Sequence, residues 1–155
     1  MKRQFFIFLL LSSFAFSVSA QTKGARKFDE TTDFCCENTR TRLDSFFVEL
    51  QNNPETKGYV IFYGGTNHPV CNTNRIPKRG EIDIITTIFK KHIEFRNQAP
   101  KRFFLVKGGY REIWTVEFWI VPNDADAPKL PPTIKEKEIK FKRGKAKKID
   151  LHCEQ

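Results

Sequence analysis

Apolar positions fall along this chain in two periods, and one continuous run lies near its middle. In Gly58-Tyr59-Val60-Ile61-Phe62-Tyr63-Gly64-Gly65, five apolar or aromatic residues run without a charge between glycines. A run of that length, rich in β-branched and aromatic residues and bounded by turn signals, predicts a strand buried on both faces at the centre of a sheet. Before it, Leu43, Phe46, Phe47 and Leu50 recur at spacings of three and four. They predict an amphipathic helix capped by Asn38 or Thr39 and stopped at Asn52-Asn53-Pro54. After it, Ile82, Ile85, Phe89 and His92 or Ile93 form the inner stripe of a second helix over Arg79 to Phe95, widened by Ile84 and Ile88. Its β-branched content suits a strand, but its charges and length favour a helix. Glu81 and Asp83 early and Lys90 and Lys91 late also suit the helix dipole.

Flanking patterns complete a small domain. Lys27-Phe28-Asp29-Glu30 reads as a short edge strand. Phe103-Phe104-Leu105-Val106 reads as a buried strand and Gly108 to Glu112 as a turn. From Ile113 to Val121 the chain alternates, with Trp114, Val116, Phe118 and Ile120 on one face and Thr115, Glu117 and Trp119 on the other. These two strands are expected to pair as a β-hairpin with a longer loop. The segment from Gly64 to Lys78 holds two prolines, three asparagines and a cysteine, so it reads as a long loop of the kind that carries function. Pro122 and Asn123 to Asp126 close the domain, and Pro128, Pro131 and Pro132 make a stiff linker. Beyond them Ile139 and Phe141 read as one further short strand, and Gly144 to Lys148 as a basic turn. The expected fold is an α+β or α/β two-layer sandwich, with a mixed sheet packed by two helices and a basic C-terminal tail.

Composition changes this picture at both ends. Met1-Lys2-Arg3-Gln4, an apolar run to Phe16 and Ser17-Val18-Ser19-Ala20 have the form of a cleaved secretory signal. The run is short for a membrane helix, and no later stretch is apolar for long enough, so no transmembrane segment is expected after processing. The division is then a signal peptide over 1–20, a globular domain over 21–122, and a linker with a basic tail over 123–155. The formal charge is +9, and from Pro128 to Gln155 nine Lys or Arg face only Glu136, Glu138, Asp150 and Glu154. Such a tail reads as a solvated extension, and export argues against nucleic acid as its partner. All four cysteines, Cys35, Cys36, Cys71 and Cys153, follow the signal, and an even count in an exported chain argues for disulfides. A bridge between the adjacent Cys35 and Cys36 is strained, so each is expected to reach a distant partner. No C-x-x-C spacing exists, and His68 and His152 lack ligand partners at motif spacing, so no metal or other cofactor is expected.

The order of edge strand, helix, central strand, long loop, helix and two strands resembles the OmpA-like domain, the peptidoglycan-binding module of envelope proteins. Phe28-Asp29 is similar to that family's early Phe-Asp pair. Gly64-Gly65-Thr66-Asn67 stands where its Gly-x-Thr-Asp ends the central strand. Arg79-Gly80 stands at the arginine that opens its second helix, and Thr115-Val116-Glu117-Phe118 looks like its closing strand. The resemblance covers about Phe28 to Val121. It implies a β-α-β-α-β-β fold and a ligand site at Gly65, Thr66, Asn67 and Arg79. There, an arginine and an aspartate would hold the zwitterionic end of a stem peptide. Asn67 replaces that aspartate, and an amide for a carboxylate costs on the order of 1–3 kcal/mol at such a contact. Glu81 and Asp83 are the nearby acids that could supply the missing charge.

The expected function is that of an exported, non-catalytic envelope domain, periplasmic or extracellular, which binds peptidoglycan at that loop. The alternative is a structural or protein-interaction module of the envelope that has lost ligand binding, with another envelope protein met through Tyr110-Arg111 or Trp119. No catalytic residue is expected. His68, His92 and His152 are the only histidines, His92 fits the helix stripe, and no nucleophile elbow or phosphate-binding glycine loop appears.

Overall fold

The computed structural model describes residues 24–70, 73–96, 100–131 and 134–149, the side chains of Cys36, 68–70, 73–74 and Pro100 excepted. Strand β1 (Arg26–Thr31) leads into helix α1 (Cys36–Asn52) and then the central strand β2 (Thr56–Gly64). The segment after β2 is not a plain loop. Strands β3 (His68–Val70) and β4 (Thr73–Arg75) pair antiparallel, and β5 (Lys78–Arg79) precedes helix α2 (Glu81–Phe95). Strands β6 (Phe103–Tyr110) and β7 (Thr115–Pro122) complete the domain, and β8 (Lys142–Lys145) follows in the basic segment.

The main sheet has four strands in the order β1-β7-β2-β6. Strand β2 runs parallel to β6 and antiparallel to β7, and β1 is antiparallel to β7. This is an α+β fold with a mixed sheet and two helices. The expected hairpin between the last two strands does not exist, because β2 lies between β6 and β7. The physical reason lies in β2 itself. Val60, Ile61, Phe62 and Tyr63 are all fully buried, so both edges of this strand must be hydrogen-bonded away from water. Strands β6 and β7 supply one edge each.

Both helices pack on one face of the sheet. Leu43, Phe46, Phe47 and Leu50 of α1 and Ile82, Ile85, Phe89 and Ile93 of α2 form a single core with Val60, Phe62, Trp114, Val116, Phe118 and Ile120. Phe62 meets Phe89 edge-on at 4.8 Å, and Phe46 meets Phe118 at 5.4 Å. Gly58 is required by this contact, since a Cβ there would stand 2.5 Å from Leu50 Cδ1 and 2.9 Å from Phe46 Cζ. His92 lies at the margin of the stripe, stacked on Phe47 and 3.3 Å from Asp44. Helix α1 starts a turn before the anticipated cap. Cys35 takes the cap position, and Asp33 accepts hydrogen bonds from the Cys35 amide and the Asn38 side chain, both at 2.9 Å.

The end of α1 is closed from outside. Arg102 donates from Nη2 to the carbonyls of Leu50 and Asn53, at 2.6 and 2.8 Å, and from Nε to that of Thr56 at 2.9 Å. The last carbonyls of a helix have no intrahelical partner and carry its negative pole, so a forked cation there is doubly favourable. Arg102→Ala is expected to cost about 1.5–3 kcal/mol, the range for charge-assisted hydrogen bonds. An unchanged urea midpoint for the variant would show that water serves those carbonyls equally well.

The other face of the sheet is covered as well. Ile61, Tyr63, Thr115, Glu117 and Val121 point away from the helices, yet all are buried. The segment 125–131 reaches the part of this face around Glu117. Within it Pro128 is buried, and it lines a cleft of about 620 Å³ with Lys27, Arg111, Glu117 and Trp119. The chain then bridges Ile134 to Tyr110, pairs β8 with β5, and places Ile149 in the core on the helix side. The basic stretch over 134–149, expected to trail as a solvated extension, is thus docked on the domain. Ile139 and Ile149, both buried, are the reason. Cys35 is in a disulfide, while the side chain of Cys36 and the whole of Cys71 and Cys153 lie outside the described residues, as does the 1–20 segment.

Candidate functional site

The exit of β2 is shaped by the connection between β6 and β7, which must pass over the end of the strand it brackets. The Arg111 amide donates to the Gly64 carbonyl at 2.7 Å. The Thr66 amide and hydroxyl both donate to the Glu112 carbonyl, at 3.1 and 2.8 Å. This approach accounts for the glycine pair. A Cβ on Gly64 would meet the Tyr110 ring at 2.7 Å, and one on Gly65 would overlap the Trp114 backbone nitrogen and lie 2.7 Å from its Cδ1. Gly65 is therefore buried and its surroundings are full. Asn67 is exposed and bridges to Ile113.

Arg79 belongs to a different neighbourhood. It sits in β5, just before Gly80, whose φ of +85° lets the chain turn directly into α2. Its guanidinium is 2.6 Å from Glu136 and lies over the Phe141 ring, 4.4 Å from the centroid. Phe141 in turn meets Tyr110 at 5.8 Å. Thr66 and Gly65 are thus tied to the β6–β7 connection, and Arg79 to the basic segment. Among the described residues, no hydrogen bond or ion pair joins Asn67 to Arg79. The two acids expected to supply a charge are engaged elsewhere: Glu81 is buried and 2.5 Å from Arg75, and Asp83 is paired with Lys107.

A second cluster, on the far face, was not anticipated. Glu117 is buried, and its carboxylate accepts from Lys27 Nζ at 2.8 Å, Arg111 Nη1 at 3.0 Å and Trp119 Nε1 at 2.9 Å. Arg111 also stacks on the Tyr63 ring at 3.5 Å. Burial alone would push the Glu117 carboxyl up, but the donors from Lys27, Trp119 and Arg111 outweigh it and hold it below the usual range. Lys27 is desolvated too, yet its bonds to Glu117 and Glu30 raise it above its ordinary value. Burial, then the nearby Glu117 charge, push the Tyr63 hydroxyl up. A carboxylate held ionised by three donors is a poor proton acceptor, so the cluster serves as an anchor. Its one sequence signal is a glutamate beside Trp119 on the second face of a largely apolar strand. Of the residues expected as contact points for a partner, Arg111 and Trp119 both bond Glu117, while Tyr110 packs against Phe141 and the helix-side core, and all three are half-buried.

Among the described residues no three His, Cys, Asp or Glu side chains group as a metal site, and no helix is long and apolar enough to cross a membrane. No family model, curated protein or solved structure matches this chain.

Proposed function

We propose that this chain is an exported, non-catalytic envelope domain of OmpA-like descent, periplasmic or extracellular, that acts as a structural or protein-interaction module. One observation carries the reading. The arginine expected to hold a ligand carboxylate already holds one from its own chain, Glu136 at 2.6 Å. With Gly65 enclosed, Thr66 bonded to Glu112 and an amide at Asn67, little of the inherited site is left open.

Peptidoglycan binding is the second reading, and the exposure of the same pair favours it. Arg79 and Glu136 are 60% and 55% exposed, and exposed ion pairs are worth about 0–1 kcal/mol. A stem-peptide carboxylate could displace Glu136 at that cost. Sedimentation with purified sacculi separates the two readings. The interaction module predicts that wild type and Glu136→Gln both stay in the supernatant. Peptidoglycan binding predicts that Glu136→Gln sediments more strongly than wild type and that Arg79→Ala abolishes it.

A further inference from the structure

The densest charge on the molecule is mounted on a rigid frame. Six of the nine residues from Lys140 to Lys148 are Lys or Arg, and none is acidic. Composition alone makes this a floating tail, but the fold fixes it. The Lys142 amide donates to the Pro77 carbonyl and the Ala146 amide to that of Arg79, both at 2.9 Å. These bonds lock β8 parallel to β5, and Ile139 and Ile149 bury either end. The outcome is a two-stranded ribbon on which Lys142, Arg143 and Lys145 are all exposed. A groove of about 560 Å³ runs between Arg79, Phe141 and these cations. Among the described residues, no carboxylate pairs with Lys142, Arg143 or Lys145. Of the acids flanking the ribbon, Glu136 is paired with Arg79, Asp83, close to Gly80, is paired with Lys107, and Glu138 accepts from the Lys135 amide.

We infer that this ribbon is a docking face for an anionic lipid bilayer. Three features choose that partner. The charge is mostly lysine, the compact point charge that suits a phosphate-dense surface rather than forked recognition of one group. Ile76, 52% exposed, directly precedes Pro77 at the ribbon's end. An apolar side chain beside a polybasic patch gives the two weak signals that together hold a protein on a membrane surface. Finally, Phe141 is covered by Arg79 and Tyr110, so the ribbon lacks the free aromatic platform that single-stranded nucleic acid uses for stacking.

The test is co-sedimentation of the chain from Gln21 onward, which contains every described residue, with vesicles of equal parts phosphatidylglycerol and phosphatidylcholine. Binding is expected at low salt, and it should fall steeply as salt rises past the range where exposed charges are screened. K142Q/R143Q/K145Q should weaken partitioning about 100-fold, given the usual gain per cation at such a surface. K90Q/K91Q/K101Q, which removes as much charge elsewhere, should leave binding within a few-fold of wild type. Circular dichroism verifies that both variants fold. If the ribbon variant does not, Lys147→Gln with Lys148→Gln, beyond the paired strand, takes its place with about a 30-fold loss expected. Three outcomes overturn the inference. These are equal binding to pure phosphatidylcholine, equal loss in both triple variants, or capture by soluble dextran sulfate with no vesicle binding.

Discussion

Glu117→Ala is expected to destabilise the protein by about 3–5 kcal/mol, the range for removing one partner of a buried ion pair. The loss has two parts. Arg111, stacked on the Tyr63 ring, keeps its charge without the carboxylate it was paired with, and the Trp119 indole loses its acceptor. The milder Glu117→Gln isolates the charge through pH. The folded-state carboxyl titrates below its ordinary value of 4.5. It therefore contributes stability above that value, and the contribution is lost as pH falls through the lower folded value. Lys27 is raised above 10.5, so its contribution is complete below that value and disappears as pH rises past the folded one. Wild-type stability should thus form a plateau between the ordinary carboxylate range and the lysine range. The acid side of that plateau should flatten in Glu117→Gln. Urea melts across that span decide it, and an acid limb identical in both proteins would remove the cluster from the account.

Gly65→Ala is expected to lower stability by about 3 kcal/mol, at the upper end for overpacking. That is a drop in Tm on the order of 10 °C for a domain of this size. The obstacle there is backbone as well as side chain: the new methyl would overlap the Trp114 nitrogen and come within 2.9 Å of the Asn67 carbonyl oxygen. A flexible side chain could swing aside, but a main-chain nitrogen in the connection that is bonded across the end of β2 cannot. The damage should concentrate at the Thr66–Glu112 bonds, so the Thr66 amide should exchange faster than amides inside α2. Gly24→Ala, with nothing within 4 Å of the added carbon, is the matched control. A Gly65→Ala protein that melts with wild type would mean that the connection above the central strand is looser than its contacts imply.

Local periodicity made much of this architecture legible. The two helices and the two faces of β7 follow from spacings of two, three and four, and the buried centre of β2 from its unbroken apolar run. Each reports its own environment to its own sequence. The strand order was not legible, because a glycine turn between two strands looks the same whether they pair or straddle a third. The β3–β4 pair hid among prolines and asparagines, whose composition says loop. The docking of the basic segment rests on Ile139, read with Phe141 only as a short strand, and on Ile149, a single apolar residue that no periodic window can register. At the candidate site, motif position found Gly65, Thr66, Asn67 and Arg79 but not their separation. Gly65 and Thr66 answer to Glu112 and Trp114, whereas Arg79 answers to Glu136. The Glu117 cluster draws Lys27, Arg111 and Trp119 from three stretches of chain, and only the fold brings them together.

The pairing of β1 with β7 bears on how the chain can mature. Arg26 lies opposite Ile120 and Thr31 opposite Val116, so, among the described residues, β1 pairs with β7 alone, the last strand of the sheet. Local contacts can form α1 and α2 early, but the sheet cannot close until nearly the whole domain is present, and such distant pairing is slow. A chain delivered from its N-terminus would therefore stay open through most of its passage. It would also hold Cys35, at the head of α1, in an unclosed sheet while later thiols arrive. Its folding would begin in earnest only after β7 has followed; for an exported chain, as proposed above, the far compartment would then be the place where the sheet closes and the Cys35 disulfide is set.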